Sequence, residues 1–363
     1  MLISLSEYAK LHQRNNDAVR RLAETGSLLT ARKIGRNWVV ENDEAYPVRK
    51  RNTAKTFTII SLFSGCGGMD LGFVGGFEFL GNIYRKTGFK VIWANEISPA
   101  ACKTYRINLG NCIIEGDICK EISNIPDVAD VIIGGFPCQD ISINGKMQGI
   151  NGNKSCLYKY IIDAVKKVQP KVFVAENVGG LLLKANSESF GKIMEDFGSL
   201  GYNVNHRLYH AEDYGVPQTR ERVFIIGTRK DMPAFVDPNP TTEIPVTVEK
   251  AIGDLEGLAE NKAFSHIWSK ANVSREQGNR KMIADRPGYT IRAECHGNIQ
   301  FHYSLPRRIS MREAARIQSF PDNFTFPCGL RETERQIGNA VPPVLGWHVA
   351  NAVKNVIRKS VIV

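Results

Sequence analysis

Three absences narrow the field before any residue is assigned a job. No run of eighteen or more apolar residues occurs, so no membrane-spanning helix is expected. The opening stretch MLISLSEYAKLHQRNN lacks the charged, apolar and small-residue order of a secretory signal. The eight cysteines (Cys66, Cys102, Cys112, Cys119, Cys138, Cys156, Cys295 and Cys328) include no Cys-x-x-Cys pair, and no histidine group stands at zinc spacing. That argues against a disulfide framework and against a structural metal. The Gly-x-x-x-x-Gly-Lys-Ser/Thr of a P-loop is missing too, as are internal repeats and low-complexity tracts. A soluble, cytoplasmic protein without a metal is expected.

What the chain does have is basic charge and room for a core. Its 363 residues suffice for two or three domains, and a net charge of +10 favours a polyanionic partner. From about residue 56 to 230, short β-rich runs alternate with amphipathic helical stretches. The runs are TFTIISLF, FKVIWANEI, CIIEGDI, ADVIIGG, KVFVAENV and RERVFIIGT; PAACKTYRINL, CLYKYIIDAVKKV and SESFGKIMEDFGSLG lie between them. This rhythm predicts a mostly parallel sheet with helices on both faces, and ligands beyond the carboxyl ends of its strands. The rhythm breaks past residue 235 and returns in SMREAARIQSF and VLGWHVANAVKNVIRK, both helical.

The first fifty residues read differently. LSEYAKLH and DAVRRLAE are short helical patterns separated by QRNN, followed by a strand pair around LLTARKIGRNWVV. Two helices and a hairpin fit a helix-turn-helix with a wing. Residues 1–55 carry eleven Lys/Arg against six Asp/Glu, although a small cap packed on the main domain fits as well.

Chemistry is sought at the strand ends. FSGCGGMDLGF, with Gly65, Gly67 and Gly68, lets backbone approach a ligand at the first strand-to-helix turn. Glu96 ends the second strand, where a carboxylate suits ribose hydroxyls, and Asp117 follows the third, where it suits a nucleoside base; either residue serves equally as a cap. Cys138 follows ADVIIGGFP, and Glu176 lies near the end of the next strand. Neighbouring parallel strands would bring thiol and carboxylate into one cleft, a pairing suited to addition to an electron-poor ring. Arg220 and Arg222 in QTRER are placed to hold a ring oxygen or phosphates.

In this order and spacing, FSGCGGMDLGF, GGFPCQDIS, ENV, QTRERVF, REAARIQSFPD and QIGNAVPP resemble the DNA (cytosine-5)-methyltransferases, over residues 56–363 apart from a variable section near 235–305. The resemblance implies an α/β, Rossmann-like, S-adenosylmethionine-dependent domain at 56–235, completed by a return segment at 311–363. A smaller target-recognition domain at 236–310 and the helix-turn-helix-like domain at 1–50 would flank it. Cys138 would add to cytosine C6 while Glu176 protonates N3, with Arg220 and Arg222 beside them, on a base flipped out of double-stranded DNA. Phe63, Gly65, Gly68, Glu96, Asp117, Ile118, Pro137 and Asn339 would hold the cofactor, whose product is S-adenosylhomocysteine. QDISINGKMQGINGNKS resembles a loop that closes over the base, with Gln139, Ser142 and Lys154 facing DNA. Lys154-Ser155 stands where the family usually has arginine followed by glycine or serine, and lysine loses the bidentate fork. Ala340 replaces a frequent serine.

Within the variable section, residues 236–261 hold one lysine against six acids, whereas 262–311 hold nine Lys/Arg against three acids. The first half is therefore expected to be a solvated helix. Readout is expected from Arg275, Arg280, Lys281, Arg286, Arg292 and His296, with a single short recognition site. The expected working form is a monomer on DNA, with dimerisation open to the N-terminal domain, in a restriction-modification system. A tRNA cytosine methyltransferase on the same scaffold is disfavoured because Phe136, not proline, precedes Pro137. A regulator of its own operon is the other reading, carried by the N-terminal segment.

Overall fold

A computed structural model describes residues 1–24, 28, 30–35, 37–47, 56–137, 157–270, 280–293 and 300–360. Cys138, Gln139, Ser142, Lys154, Arg275 and His296 lie outside the described residues. The chain forms two compact units, residues 1–54 and 55–363.

In the first unit, β1 (Leu2–Ser4) leads into α1 (Leu5–Leu11) and α2 (Asn16–Glu24), followed by β2 (Arg32–Ile34) and β3 (Asn37–Glu41). Ser4 starts α1 with a reciprocal capping box: its hydroxyl accepts the Glu7 amide, and the Glu7 side chain accepts the Ser4 amide. The strands form an antiparallel sheet in the order β1-β3-β2. Tyr8, Ala9, Val19, Ala23, Leu28 and Val40 make a small core of the unit's own.

The second unit is built on a seven-stranded sheet. Its elements run β4 (Phe57–Leu62), α3 (Gly68–Val74), β5 (Phe77–Phe79), β6 (Asn82–Tyr84), β7 (Phe89–Glu96), α4 (Pro99–Leu109), β8 (Ile113–Glu115), α5 (Ile118–Glu121), β9 (Val131–Gly135) and α6 (Tyr158–Val168). Then follow β10 (Val172–Val178), α7 (Ser187–Gly198), β11 (Tyr202–His210), β12 (Glu221–Arg229), α8 (Val248–Ile252), α9 (Met311–Ile317), α10 (Leu330–Asn339) and α11 (Pro343–Lys359). Strand order is β11-β12-β10-β9-β4-β7-β8. The pairs from β10 through β9, β4 and β7 to β8 are parallel, whereas β12 is antiparallel to β10 and to β11.

Alternation along the strands divides the apolar side chains between two cores. Ile59, Val131, Ile133, Val172 and Val174 face one way, onto Phe73 of α3 and Val344, Leu345, Val349 and Val353 of α11. Ile60, Ile132, Phe173 and Ala175 face the other, onto Ile161 and Val165 of α6 and Ile193 and Phe197 of α7. The return segment thus completes one face of the sheet.

Residues 236–310 carry little regular structure among those described. Val248, Ala251, Ile252, Leu255, Met282, Ile291 and Ile309 are buried, and most join Met311, Ala314, Ala315 and Ile317 of α9 in a third core. The expected solvated helix is therefore an amphipathic anchor. Its neighbouring acid Asp254 meets Arg316, which also forks onto Asp322 at 2.7 Å.

Candidate functional site

The first strand-to-helix turn is under backbone tension. Phe63 and Gly65 both adopt left-handed conformations, with φ of 55° and 57°, on either side of Ser64. For phenylalanine this costs roughly 1–3 kcal/mol, so neighbouring contacts must hold it. The Gly65 amide donates to Glu96 Oε2 at 3.0 Å, and the Ser98 amide donates to Oε1 at 2.8 Å. The carboxylate ending β7 is thereby fixed against the turn, with lone pairs to spare on its half-buried head.

Gly68 opens α3 where the return segment crosses it. A Cβ there would lie 2.5 Å from the Val341 carbonyl and 3.0 Å from the Ala340 side chain, so only glycine admits the approach. This brings QIGNAVPP against the glycine turn, with Asn339 exposed at the end of α10. Asp117 caps α5, accepting the Cys119 amide at 3.0 Å, and that bond holds its pKa below the usual carboxylate range. Ile118 beside it is buried, and Phe63 packs against the same core. Pro137 is half-buried just past the end of β9. Glycine backbone, a fixed carboxylate and a second acid around one set of strand ends match the polar and apolar demands of an adenosyl-amino-acid cofactor.

Glu176 pairs in register with Gly135 of β9, and Cys138 follows Gly135 in the chain by three residues. The Glu176 carboxyl is 7% exposed, and Arg222 Nε stands 2.7 Å from its Oε1. Burial pushes the Glu176 pKa up, while Arg222 and then Arg220 pull it down; the net direction is upward. The antiparallel course of β12 explains the pairing, because its first residues meet the last of β10, with Arg222 opposite Val178. Asn177 steadies the same edge by donating to the Phe136 carbonyl at 3.1 Å.

Arg220, expected beside the substrate, is occupied elsewhere. Its Nη1 donates to the Ile291 carbonyl at 2.9 Å and to Gln218 Oε1 at 3.2 Å; Nη2 donates to the Gly338 and Ala340 carbonyls at 2.7 and 3.0 Å. Gln218 Oε1 also accepts the Ile291 amide, and its Nε2 donates to the Ile317 carbonyl. Gln318 donates to the Ala340 carbonyl. The start of β12 thus clamps the variable section and the return segment together, with terminal guanidinium nitrogens that a ring or phosphate would have needed. Sequence reading missed Gln218 and Gln318; their carbonyl partners lie far along the chain and leave no local signature.

Arg280, Lys281, Arg286 and Arg292 are exposed, as a DNA-facing surface requires. Arg307, Arg308, Arg312 and Arg316 in and after the same section are spent inside: Arg307 forks onto buried Glu313 at 2.7 and 2.8 Å, and Arg312 donates to the carbonyls of Phe264, Pro321 and Phe324. His302 Nδ1 accepts the amides of Ser304 and Leu305, and its Nε2 faces buried Glu313 at 3.7 Å.

Comparison with known proteins agrees with this geometry. The profile of the C-5 cytosine-specific DNA methylases matches residues 57–282 and 261–355. Type II methyltransferase M.NgoFVII of Neisseria gonorrhoeae is 39% identical over 321 residues, covering 78% of this chain and 83% of the relative. Type II methyltransferase M.FnuDI of Fusobacterium nucleatum is 36% identical over 337 residues, covering 82% and 94%. Among solved structures, a prophage-encoded Escherichia coli protein described as a DNA modification methyltransferase shares the fold, with a TM-score of 0.64, 24% identity and coverage of 83% and 99%. The Dnmt2 methyltransferase of S. pombe gives a TM-score of 0.54 at 15% identity, covering 84% of this chain and 99% of its own. The chain belongs to the C-5 cytosine-specific DNA methylase family.

Proposed function

We propose that this DNA cytosine-5 methyltransferase acts on a cytosine flipped out of a specific duplex site, with Cys138 as nucleophile and Glu176 as the acid at N3. The observation that carries the reading is the buried Glu176–Arg222 pair at the end of β10, in register with the strand that leads to Cys138. Cytosine C5 is a poor nucleophile until a bond forms at C6. The Cys138 thiolate makes that bond, and Glu176, its pKa raised by burial, holds a proton at N3 to take up the displaced charge. Arg222 fixes the carboxyl oxygen it touches and leaves the other for the base. Bound S-adenosylmethionine supplies an electrophilic methyl group on a sulfonium. Phe63, Gly65, Gly68, Glu96, Asp117, Ile118, Pro137 and Asn339 would hold it. After C5 gains the methyl group, loss of the C5 proton and of the Cys138 sulfur restores the ring.

A duplex carrying 5-fluorocytosine tests the assignment, since the fluorine blocks the last step and leaves the adduct. Wild type should form an SDS-stable complex mapped to Cys138, and Cys138→Ala should form none. Methylation at the wild-type rate by Cys138→Ala would remove the thiol from the mechanism. Bisulfite sequencing of DNA from expressing cells would give the recognition site. Gln139, Ser142, Lys154, Arg275, Arg280, Lys281, Arg286, Arg292 and His296 form the proposed DNA surface.

The N-terminal unit supports a second, compatible reading as a DNA-binding winged helix that represses its own operon. The β2–β3 hairpin extends beyond the residues paired to β1 and exposes Arg32, Lys33 and Ile34, while Glu41 and Asp43 lie at the other end of β3. On α2, Arg20 and Arg21 are exposed. Deleting residues 1–50 should keep methylation and abolish a footprint upstream of the gene; an unaltered footprint would sink this reading.

A further inference from the structure

The buried acid Asp70 has no part in the chemistry above, yet it lies two residues inside α3, directly after the glycine turn. Its side chain is fully buried. Ser61 of β4 donates to Oδ2 at 3.1 Å, and the Tyr105 hydroxyl of α4 donates to Oδ1 at 2.9 Å. Ser61 Oγ, having given its proton to Asp70, is an acceptor toward Ser64, whose hydroxyl stands 2.9 Å away. The Ser64 hydroxyl also reaches the Ser61 carbonyl at 3.2 Å, so both of its contacts tie it to Ser61, whose own hydroxyl is held by Asp70, with Tyr105 bonded to the acid from the other side.

Ser64 is the residue held between left-handed Phe63 and Gly65. Its amide donates to the Asn95 carbonyl at 3.0 Å, and its carbonyl accepts the Gly67 amide at 2.9 Å. These backbone bonds position the residue along the sheet. The hydroxyl contacts add a tether inward to buried Asp70, and an unfavourable backbone conformation persists only where several contacts demand it. The geometry points to Asp70 as a positioning residue for the cofactor: through Ser61 and Ser64 it holds the strained turn in its binding conformation. This rests on the cofactor site proposed above. A carboxylate suits the task because it accepts from both hydroxyls at once, which fixes the Ser61 and Tyr105 protons and leaves Ser61 Oγ an acceptor toward Ser64. An amide at this position would accept one hydroxyl and donate toward the other, reversing the Ser61 end.

Isothermal titration of the full-length protein with S-adenosylhomocysteine reads this directly. Ser64→Ala removes the tether and leaves the buried Asp70, Ser61 and Tyr105 bonds intact. It should weaken binding about tenfold with little change in Tm, and the loss in turnover should fall on KM for S-adenosylmethionine rather than on kcat. Asp70→Asn should weaken binding at least as much. Tyr105→Phe, which keeps the path from Ser64 to Asp70, should lower Tm while holding affinity within about threefold. Wild-type affinity in both Ser64→Ala and Asp70→Asn would overturn the proposal. Failure of the wild type itself to bind would remove the cofactor site and this role with it.

Discussion

Replacing Arg220 by methionine separates a strut from a catalytic group. The substitution nearly conserves volume, so packing changes little and the guanidinium bonds are what is lost. The Ile291 and Gly338 carbonyls lose their Arg220 donor, whereas the Ala340 carbonyl keeps Gln318. A buried acceptor left without a partner costs about 1–3 kcal/mol, so the two carbonyls set a loss of about 2–6 kcal/mol. Relief from burying the guanidinium offsets part of this. Burial and the neighbouring Arg222 already drive the Arg220 pKa down, with Glu176 opposing. A net loss of about 3 kcal/mol is expected, or a Tm lower by about 6 °C for a unit of this size. Calorimetry of the full-length protein would measure it, beside methyl-transfer kinetics at a temperature where both proteins are folded. Under those conditions kcat should stay within about tenfold of wild type. A Tm shift below about 1 °C with a hundredfold loss of kcat would refute the strut and return Arg220 to the reacting base.

Further expectations follow from neighbouring residues. Glu176→Gln keeps the shape and removes the proton donor, so methylation should fall by about 10²–10⁴ while thermal stability holds; methyl-transfer assays and a melting curve check both. Gly68→Ala forces a methyl group against the Val341 carbonyl; it should cost about 1–3 kcal/mol in urea denaturation and weaken cofactor binding. Glu334 of α10 is buried, and burial raises its pKa from 4.5 to about 7, with Arg308 opposing. A raised acid favours the fold only while protonated, so its contribution is full below pH 4.5 and erodes as pH rises through about 7. Glu334→Gln should therefore match wild type near pH 4.5 and exceed it at pH 8, by about 3 kcal/mol at most; equal melting temperatures at pH 8 would disprove this.

Strand ends rich in isoleucine and valine announced six of the seven sheet strands, because both cores are filled from those runs. β11 escaped notice: YNVNHRLYH is an edge strand with Asn203, Asn205, His206 and His210 exposed, so no apolar run marks it. The β5–β6 hairpin did carry a signal, FEF and NIY around a Leu-Gly turn with both residues left-handed, but six residues of strand are easily read as loop. The parallel course of β4, β7, β8, β9 and β10 was legible in the strand-helix alternation, but the reversal at β12 was not. That β12 runs against β10 follows from pairing, and it alone decides that Arg222 reaches Glu176. The candidate nucleophile Cys138 and the candidate acids Glu96, Asp117 and Glu176 could be singled out because each sits beside a glycine or at a strand end with a recognisable neighbour. Asp70 stood in plain view within FSGCGGMDLGF, yet its partners Ser61 and Tyr105 are ordinary residues whose roles appear only when β4 and α4 come together. Arg220 is drawn toward the substrate in sequence for the opposite reason: its neighbour Arg222 does meet the candidate acid Glu176, and sequence cannot tell alternate side chains apart by what each touches.

The packing of α11 against α3 also has a bearing on synthesis. The first unit, residues 1–54, has its own core and is complete soon after it leaves the ribosome. One face of the seven-stranded sheet stays incompletely covered until Val344, Leu345 and Val349 arrive. At typical translation speeds, the roughly 290 residues between these events take about 15–60 s. Throughout that interval the nascent chain carries a folded N-terminal unit ahead of an apolar sheet face that α3 covers only in part. Chaperone demand should therefore persist until α11 is made, and truncations that stop short of α11 should aggregate rather than yield a partly active enzyme.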